Sequence, residues 1–338
     1  MTVASLEFIA RLPKAELHLH IEGSLEPDLL LELAEKHKID LLYKTIEEVE
    51  AAYQFDSLQS FLDLYYMGAG VLIDEQDFYD LMWRYLCRCR EENIVHTEIM
   101  FDPQTHTGRG ILFDVVINGF TRALEDARQQ WGQSSSLIMC FLRHLPESEA
   151  LLTLAQGLAH KDKILSVGLD SSEVGHPPEK FQKVFSLAKE AGFSRVAHAG
   201  EEGPVQYIHS AISLLDVQRI DHGVRCVDDP ALVENLKKNR MPLTMCPLSN
   251  VRLCVFDQMR EHPILKLLDE GLCVTVNSDD PSYFGGYLNE NYLALAKALS
   301  MTESQAVQLA RNSFEASFLD DTRKQLFLSK IDASALFV

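Results

Sequence analysis

The chain has 338 residues, 46% of them hydrophobic, enough for one barrel-sized domain or two smaller ones. With 31 Lys and Arg against 50 Asp and Glu the net charge is −19, a surface that repels phosphate backbones and anionic lipid and favours a small-molecule partner over nucleic acid or membrane. The 7 cysteines are scattered, the first residues include Glu7, Arg11 and Lys14, and no apolar run reaches the ~20 residues of a membrane span, so a reduced, cytoplasmic protein is expected.

The first patterned stretch is Glu16–Gly23, reading ELHLHIEG. Alternate residues of a β-strand share a face, so His18 and His20 project together while Leu17, Leu19 and Ile21 pack behind them. Gly23 breaks the strand, and a helix follows over Asp28–His37. Two imidazoles at a strand end make a seat for a divalent metal; the plain alternative is a pair of core histidines with hydrogen-bond partners. Residues 44–92 read as a helical insertion, with apolar residues at three- and four-residue spacing over Ile46–Tyr53, Ser57–Gly68 and Glu75–Glu92. Because it interrupts the chain just after the first strand, it is expected to lid the mouth of the fold.

From there the pattern alternates. Strand Asn93–Phe101 precedes helix Leu112–Gln130, strand Ser136–Leu142 precedes helix Glu147–His160, and strand Ile164–Leu169 precedes helix Pro178–Ala191. Strand Arg195–Ala199, helix Val205–Leu215, strand Arg219–Asp221, helix Pro230–Asn239, strand Pro242–Met245, helix Pro263–Glu270 and strand Cys273–Asn277 follow, then a helical tail from Asn289. Eight strands alternating with helices predict a (β/α)₈ TIM barrel, with extra helices after strand 1 and at the C-terminus. A doubly wound open sheet is the alternative, weakened by the lack of a glycine-rich loop after the first strand. No linker or internal repeat divides the chain, so residues 1–338 are expected to form a single domain.

In such a barrel the functional groups sit where strands end. Strand 1 offers His18 and His20, strand 5 ends in His198-Ala199-Gly200-Glu201, strand 6 in Asp221-His222-Gly223 and strand 8 in Ser278-Asp279-Asp280. A metal at that mouth can take His18, His20, His198 and a strand-8 carboxylate; three nitrogens and one oxygen suit Zn²⁺, with Fe²⁺ and Mn²⁺ open on ligand type. Taken singly, these residues have ordinary explanations: Asp279-Asp280 before a proline as a turn or cap, Glu201-Glu202 as a helix-start charge, His222 as a residue orienting its own loop. The coincidence of four strand ends counts against all of them together. A second metal would want a lysine at the end of strand 4, and Leu169-Asp170-Ser171-Ser172-Glu173 has none. His96-Thr97-Glu98 lacks the Pro-Cys-x-x-Cys partner of the cytidine-type deaminases, and there is neither His-Glu-x-x-His nor Gly-x-Ser-x-Gly.

The blocks LPKAELHLH (Leu12–His20), HAGEEGP (His198–Pro204), RIDHG (Arg219–Gly223), CPLSN (Cys246–Asn250) and SDDP (Ser278–Pro281) resemble the adenosine/adenine deaminase family over nearly the whole chain. The resemblance implies a metal-dependent (β/α)₈ barrel holding one zinc on His18, His20, His198 and Asp279. It also implies Glu201 as proton donor to N1 of a purine, His222 as the catalytic histidine beside an activated water that attacks C6, and Asp280 as a carboxyl group binding the substrate at N7.

Three departures point to the free-base branch of that family. Adenosine-specific relatives carry Leu-Asp-Gly after the second histidine; here the run is Ile21-Glu22-Gly23, and the longer Glu22 is expected to reach into the volume a ribose would fill. The loop after strand 4 reads Ser171-Ser172-Glu173 in place of Ala-Gly-Asp-Glu, which places Ser172 and Glu173 among the expected substrate contacts. Phe101–His106 (FDPQTH) also resembles adenine deaminases. The expected reaction is adenine to hypoxanthine and ammonia, in purine salvage. The alternatives are an adenosine or N6-substituted adenine deaminase and, in another class, a non-catalytic purine-binding protein, against which Glu201 and His222 argue. Nothing in the sequence fixes the oligomeric state.

Overall fold

The apolar runs of the sequence become strands buried on both faces, as a parallel sheet under a coat of helices requires. The computed structural model describes residues 2–335. Its strands are β1 (Lys14–Glu16), β2 (Ile94–Phe101), β3 (Ser134–Leu142), β4 (Ile164–Asp170), β5 (Ser194–Ala199), β6 (Arg219–His222), β7 (Leu243–Met245) and β8 (Val274–Val276). They pair in parallel and in sequence order from β1 to β8, giving the (β/α)₈ barrel.

The barrel closes between β8 and β1 through side chains and single bridges. Leu17 N–H donates to Asn277 Oδ1 at 2.9 Å, so the first strand ends at Glu16, ahead of the two histidines expected within it. Beyond that point the chain threads between its neighbours: His20 N–H donates to the Asp279 carbonyl at 2.9 Å, and Ile21 N–H to the Met100 carbonyl at 2.9 Å. Behind the seam lies helix Glu303–Ala316, whose Ser313 hydroxyl accepts Ala15 N–H at 3.0 Å and whose Asn312 amide donates to the Val274 carbonyl at 2.9 Å. Helix Glu303–Ala316 therefore seals a joint that the short strands β1 and β8 leave incomplete.

The insertion forms helices Ile46–Ala52, Leu58–Ala69 and Glu75–Glu91, each opened by a side-chain cap, from Thr45, Ser57 and Asp74. Helix Leu58–Ala69 lies over the mouth. Phe61 packs on Phe284, with ring centroids 4.7 Å apart, and Leu58 N–H donates to Glu202 Oε1 at 3.1 Å. Gly68 lets the helix approach closely, since a Cβ there would stand 2.5 Å from the Tyr283 hydroxyl.

Three short helices start with a proline after a strand: Pro103–Thr107 and Pro247–Arg252 with one residue separating them from β2 and β7, and Pro281–Phe284 after the segment Asn277-Ser278-Asp279-Asp280 that follows β8. The residues before them, Asp102, Cys246 and Asp280, share one backbone conformation, with φ between −110 and −124° and ψ between 76 and 83°. A following proline excludes the helical region for its predecessor, so the chain turns before each helix begins. Among the described residues no helix is long and apolar enough to cross a membrane.

Candidate metal centre and active site

The strand ends bring the four sequence-selected segments to one buried point. His18 and His198 have ring centroids 4.6 Å apart, and His18 and His20 5.6 Å apart. Asp279 Oδ1 lies 3.3 Å from His18 Nε2 and 3.6 Å from His20 Nε2. His20 Nε2 and His198 Nε2 face each other at 3.2 Å. Two ring nitrogens on one tetrahedral ion at about 2.0–2.1 Å would stand ~3.3 Å apart. The fully buried His18 Nε2 has no hydrogen-bond partner. Converging nitrogen lone pairs and an orphaned buried nitrogen are what a bound cation resolves, so the donor set fits a divalent metal.

The outer nitrogen of each of these rings faces an acceptor. His18 Nδ1 meets the Thr244 carbonyl and hydroxyl at 3.2 and 3.1 Å, His20 Nδ1 lies 3.5 Å from Asp170 Oδ2, and His198 Nδ1 lies 3.6 Å from Asp221 Oδ2. The His18 contacts are hydrogen bonds, whereas the His20 and His198 nitrogens lie at longer range from their carboxylates; all three rings turn Nε2 toward the centre. Burial, then the neighbouring histidines, hold His198 well below the usual imidazole range, and burial also lowers His20. Burial opposes ionisation of Asp279, yet His18, His222 and His20 outweigh it and keep the carboxylate charged. Burial opposes the charge on His18, but Asp279 and Asp221 outweigh it and raise its pKa, so a metal would take the place of a proton on this ring.

His222 stands on the other side of the cluster, its centroid 4.6 Å from His18, with Nε2 3.4 Å from Glu201 Oε2 and 3.7 Å from Asp279 Oδ2. Burial pushes its pKa down to about 3. Asn250 Nδ2 ties the pair together, 3.4 Å from Glu201 Oε1 and 3.3 Å from His222 Nδ1, and its own Oδ1 meets His262 Nε2 at 3.2 Å. Glu201 is driven well above the ordinary carboxyl range by burial and then by the charges on Asp279, Glu173 and Glu202. Burial and Asp279 do the same to Asp280. His222 (φ 61°), Asp279 (φ 64°) and Ser171 (φ 73°) all adopt left-handed backbone, uncommon for non-glycine residues.

Glu201, His222, Asp279, Asp280, His20 and His198 share the wall of one small cavity, roofed by Phe61, Tyr65 and Tyr66 of the insertion. Residues of the expected lid thus line the cavity. Three other expected contacts lie elsewhere. Glu22 does not line the cavity: its carboxyl takes His106 Nε2 at 2.8 Å and the Asp102 N–H at 3.3 Å, because a tight turn over Glu22–Ser24 swings it toward the helix that follows β2. Burial pushes its pKa up to about 7. Glu173 is drawn beneath the β5 loop by four backbone N–H groups, and Ser172 sits outside the cavity wall. From that loop it is Ser171, with Asp170, that lines the cavity. Asp102, Asp170, Asp221 and Thr244 were passed over in the sequence, although each stands on or beside a strand end or shares a face with a chosen histidine.

A parallel eight-stranded barrel carrying a histidine–carboxylate centre at the C-terminal end of its strands defines a metal-dependent hydrolase. The family model described as Adenosine deaminase matches residues 13–334, and the chain belongs to that family. It is 61% identical over 326 residues to a protein named adenine deaminase from Hahella chejuensis, covering 96% of this chain and 98% of that one. A second adenine deaminase, from Acinetobacter baylyi, is 58% identical with the same coverage. The crystal structure of adenine deaminase from Arthrobacter aurescens superposes with a TM-score of 0.94 at 48% identity, covering 96% of this chain and 99% of that one. An amidohydrolase from Burkholderia ambifaria, solved with bound Zn, superposes at 0.90 with 26% identity, covering 100% and 95% of the two chains.

Proposed function

We propose that the chain hydrolyses adenine to hypoxanthine and ammonia with a water activated by one zinc ion held on His18, His20, His198 and Asp279. The observation that carries this reading is the placement of Glu201 and His222, 3.4 Å apart, on the same cavity wall as His20, His198 and Asp279. A pure binding protein needs neither a raised carboxyl group nor a neutral imidazole beside a metal. The relatives named adenine deaminase, similar over 96% of the chain, support adenine as the substrate.

A divalent metal at this cluster supplies Lewis acidity, bringing the pKa of a bound water to about 7. Glu201, kept protonated by burial, gives its proton to N1 and makes C6 a better electrophile. His222, neutral at working pH, orients the attacking water and accepts its proton. Asp280 hydrogen-bonds N7 and fixes the ring in its plane. His222 returns that proton to the 6-amino group, which departs as ammonia, and the C6 hydroxyl proton passes to Glu201 as the carbonyl of hypoxanthine forms. Helix Leu58–Ala69 excludes bulk water from these steps.

The test is ammonia release from adenine, adenosine and N6-methyladenine by metal-replete protein, with elemental analysis of the same sample. Adenine is expected to be the fastest substrate, with one zinc per chain. Faster turnover of adenosine or the N6-substituted base would overturn the assignment, and purine binding without turnover would favour the non-catalytic alternative.

A further inference from the structure

We propose that Asp102 selects the free base by accepting the N9–H of adenine on its Oδ1. The proposal rests on the reading above, in which Glu201 meets N1 and Asp280 meets N7.

The order of strand ends around the mouth can be set against the order of atoms around the purine. From N7 to N1 by the edge remote from C6, the ring presents C8, N9, N3 and C2. From Asp280 on β8 to Glu201 after β5 by way of β1, the cavity wall presents His20, Asp102, Asp170 and Ser171, with no contribution from β3 among the described residues. With N7 at β8 and N1 at β5, C6 falls on the side of His222, and N9 falls to the ends of β1 and β2. The β1 residue is committed, because His20 turns Nε2 to the donor cluster and Nδ1 to Asp170. Asp102 is the acceptor left at that position.

Its chemistry matches. Asp102 is 3% exposed and lines the cavity. Its Oδ2 accepts the Tyr65 hydroxyl at 3.0 Å, while Oδ1 has no protein donor and faces the carboxyl group of Asp170, whose two oxygens also lack a donor, so that a proton held on Asp170 leaves Asp102 as the acceptor of the pair. A buried acceptor left unpaired costs on the order of 1–3 kcal/mol, which a substrate N–H can recover. Asp102, directly after β2, and Asp280, in the segment that follows β8, share the pre-proline backbone conformation, and both line the cavity. A cation shared by His20, Asp102 and Asp170 does not suit these atoms. If the Nε2 lone pair of His20 serves the main cluster, Nδ1 carries hydrogen toward Asp170 and has no lone pair for a second ion. A nucleoside has carbon in place of the N9 hydrogen, so it leaves Asp102 unpaired and pushes a ribose against it. Sites built around a substrate hydrogen bond reject analogues that lack it by about 10⁴-fold.

The probe is 9-methyladenine, which differs from adenine by one methyl group at N9. Metal-replete wild-type protein is expected to prefer adenine by at least ~10³-fold in kcat/KM. Asp102→Ala is expected to lower the adenine value by roughly 10²-fold and to narrow the adenine to 9-methyladenine ratio at least tenfold, with metal content unchanged. Asp102→Asn, whose amide oxygen still accepts, retains most of the ratio. If the alanine variant does not fold, Asp102→Ser, too short to reach N9, takes its place. An unchanged ratio in the truncated variant, an equal fall for both substrates, or a wild-type protein indifferent to the methyl group overturns the proposal. Absence of any turnover of adenine by metal-replete wild type instead overturns the reading on which it rests.

Discussion

Glu173 Oε2 accepts the backbone N–H of Glu201 at 3.0 Å, and the same carboxyl group takes Gly200, Glu202 and Gly203 at 2.6, 2.9 and 2.7 Å. One side chain from the β4 loop thus holds the loop that carries the proposed proton donor. Gly203 makes room for it, since a Cβ there would stand 2.6 Å from the Glu173 carboxyl carbon. Glu173→Ala leaves four buried N–H groups unpaired and frees the loop. Adenine turnover is expected to fall at least ~10²-fold, with kcat affected more than KM, while Glu173→Gln recovers part of it. Equal kinetics for the alanine variant and wild type would show that the loop holds itself.

Glu201→Gln keeps the shape of the side chain and the Asn250 contact but removes the transferable proton. Loss of general-acid catalysis is expected to cost at least ~10²-fold in kcat, with zinc content unchanged. Steady-state kinetics and elemental analysis on one preparation check both halves. A kcat within a few-fold of wild type would remove Glu201 from the chemistry.

Gly23 abuts the substrate wall from outside: a Cβ at this position would lie 2.0 Å from Asp280 Oδ1 and 2.6 Å from its Cβ. Gly23→Ala therefore displaces Asp280 while removing no functional group. A loss of about 10²-fold in kcat/KM for adenine is expected, since misplacement on the scale of 1 Å has that cost. Wild-type kinetics in this variant would argue that Asp280 does not position the ring.

The barrel, the four strand ends and the donor cluster were legible because their signals are local: period-2 apolar runs, histidines two apart, carboxylates after a strand. Where a side chain turns once the strand has ended was not legible. Glu22 and Glu173 stand in the right loops, yet partners distant in sequence, His106 for one and the residue 200–203 amides for the other, pull them off the cavity wall. Asp102 shows the converse. Asp102-Pro103 reads as the end of a strand, and only the folded chain shows that Asp102, like Asp280 before Pro281, lines the cavity. The short helices that follow both prolines are too brief for periodicity to register.

Removing the metal leaves three buried imidazoles and Asp279 facing one another without a counter-ion. Metal-free protein is expected to lose adenine turnover and to melt at lower temperature, both restored by stoichiometric Zn²⁺, because a ligand that binds only the folded state stabilises it. Thermal unfolding before and after chelation, with activity assayed in parallel, provides the check. Full activity without metal would exclude the proposed centre.

Away from the mouth, Glu92 gives a pH dependence of stability. Burial pushes its carboxyl up to about 7 from 4.5, with Glu290 and Glu16 reinforcing the shift and Lys14 opposing it; Asn289 N–H donates to it at 2.8 Å. A folded-state pKa above the unfolded one means that the folded chain binds the extra proton. The contribution is therefore fully present below about pH 4.5 and is lost as pH rises through about 7. Lys14, lowered by burial to about 7 from 10.5, works in the opposite sense above that point, stability rising with pH from about 7 to about 10.5 as the unfolded chain retains the proton that the folded one has released. Glu92→Gln keeps an acceptor for Asn289 and removes the titration. The variant is expected to match wild type near pH 4.5 and to exceed it near pH 7.5 by up to about 3 kcal/mol, the scale set by 1.36 kcal/mol per pKa unit. Chemical denaturation at the two pH values measures the difference directly, and a variant less stable than wild type at pH 7.5 would reverse the sign assigned to this buried carboxyl group.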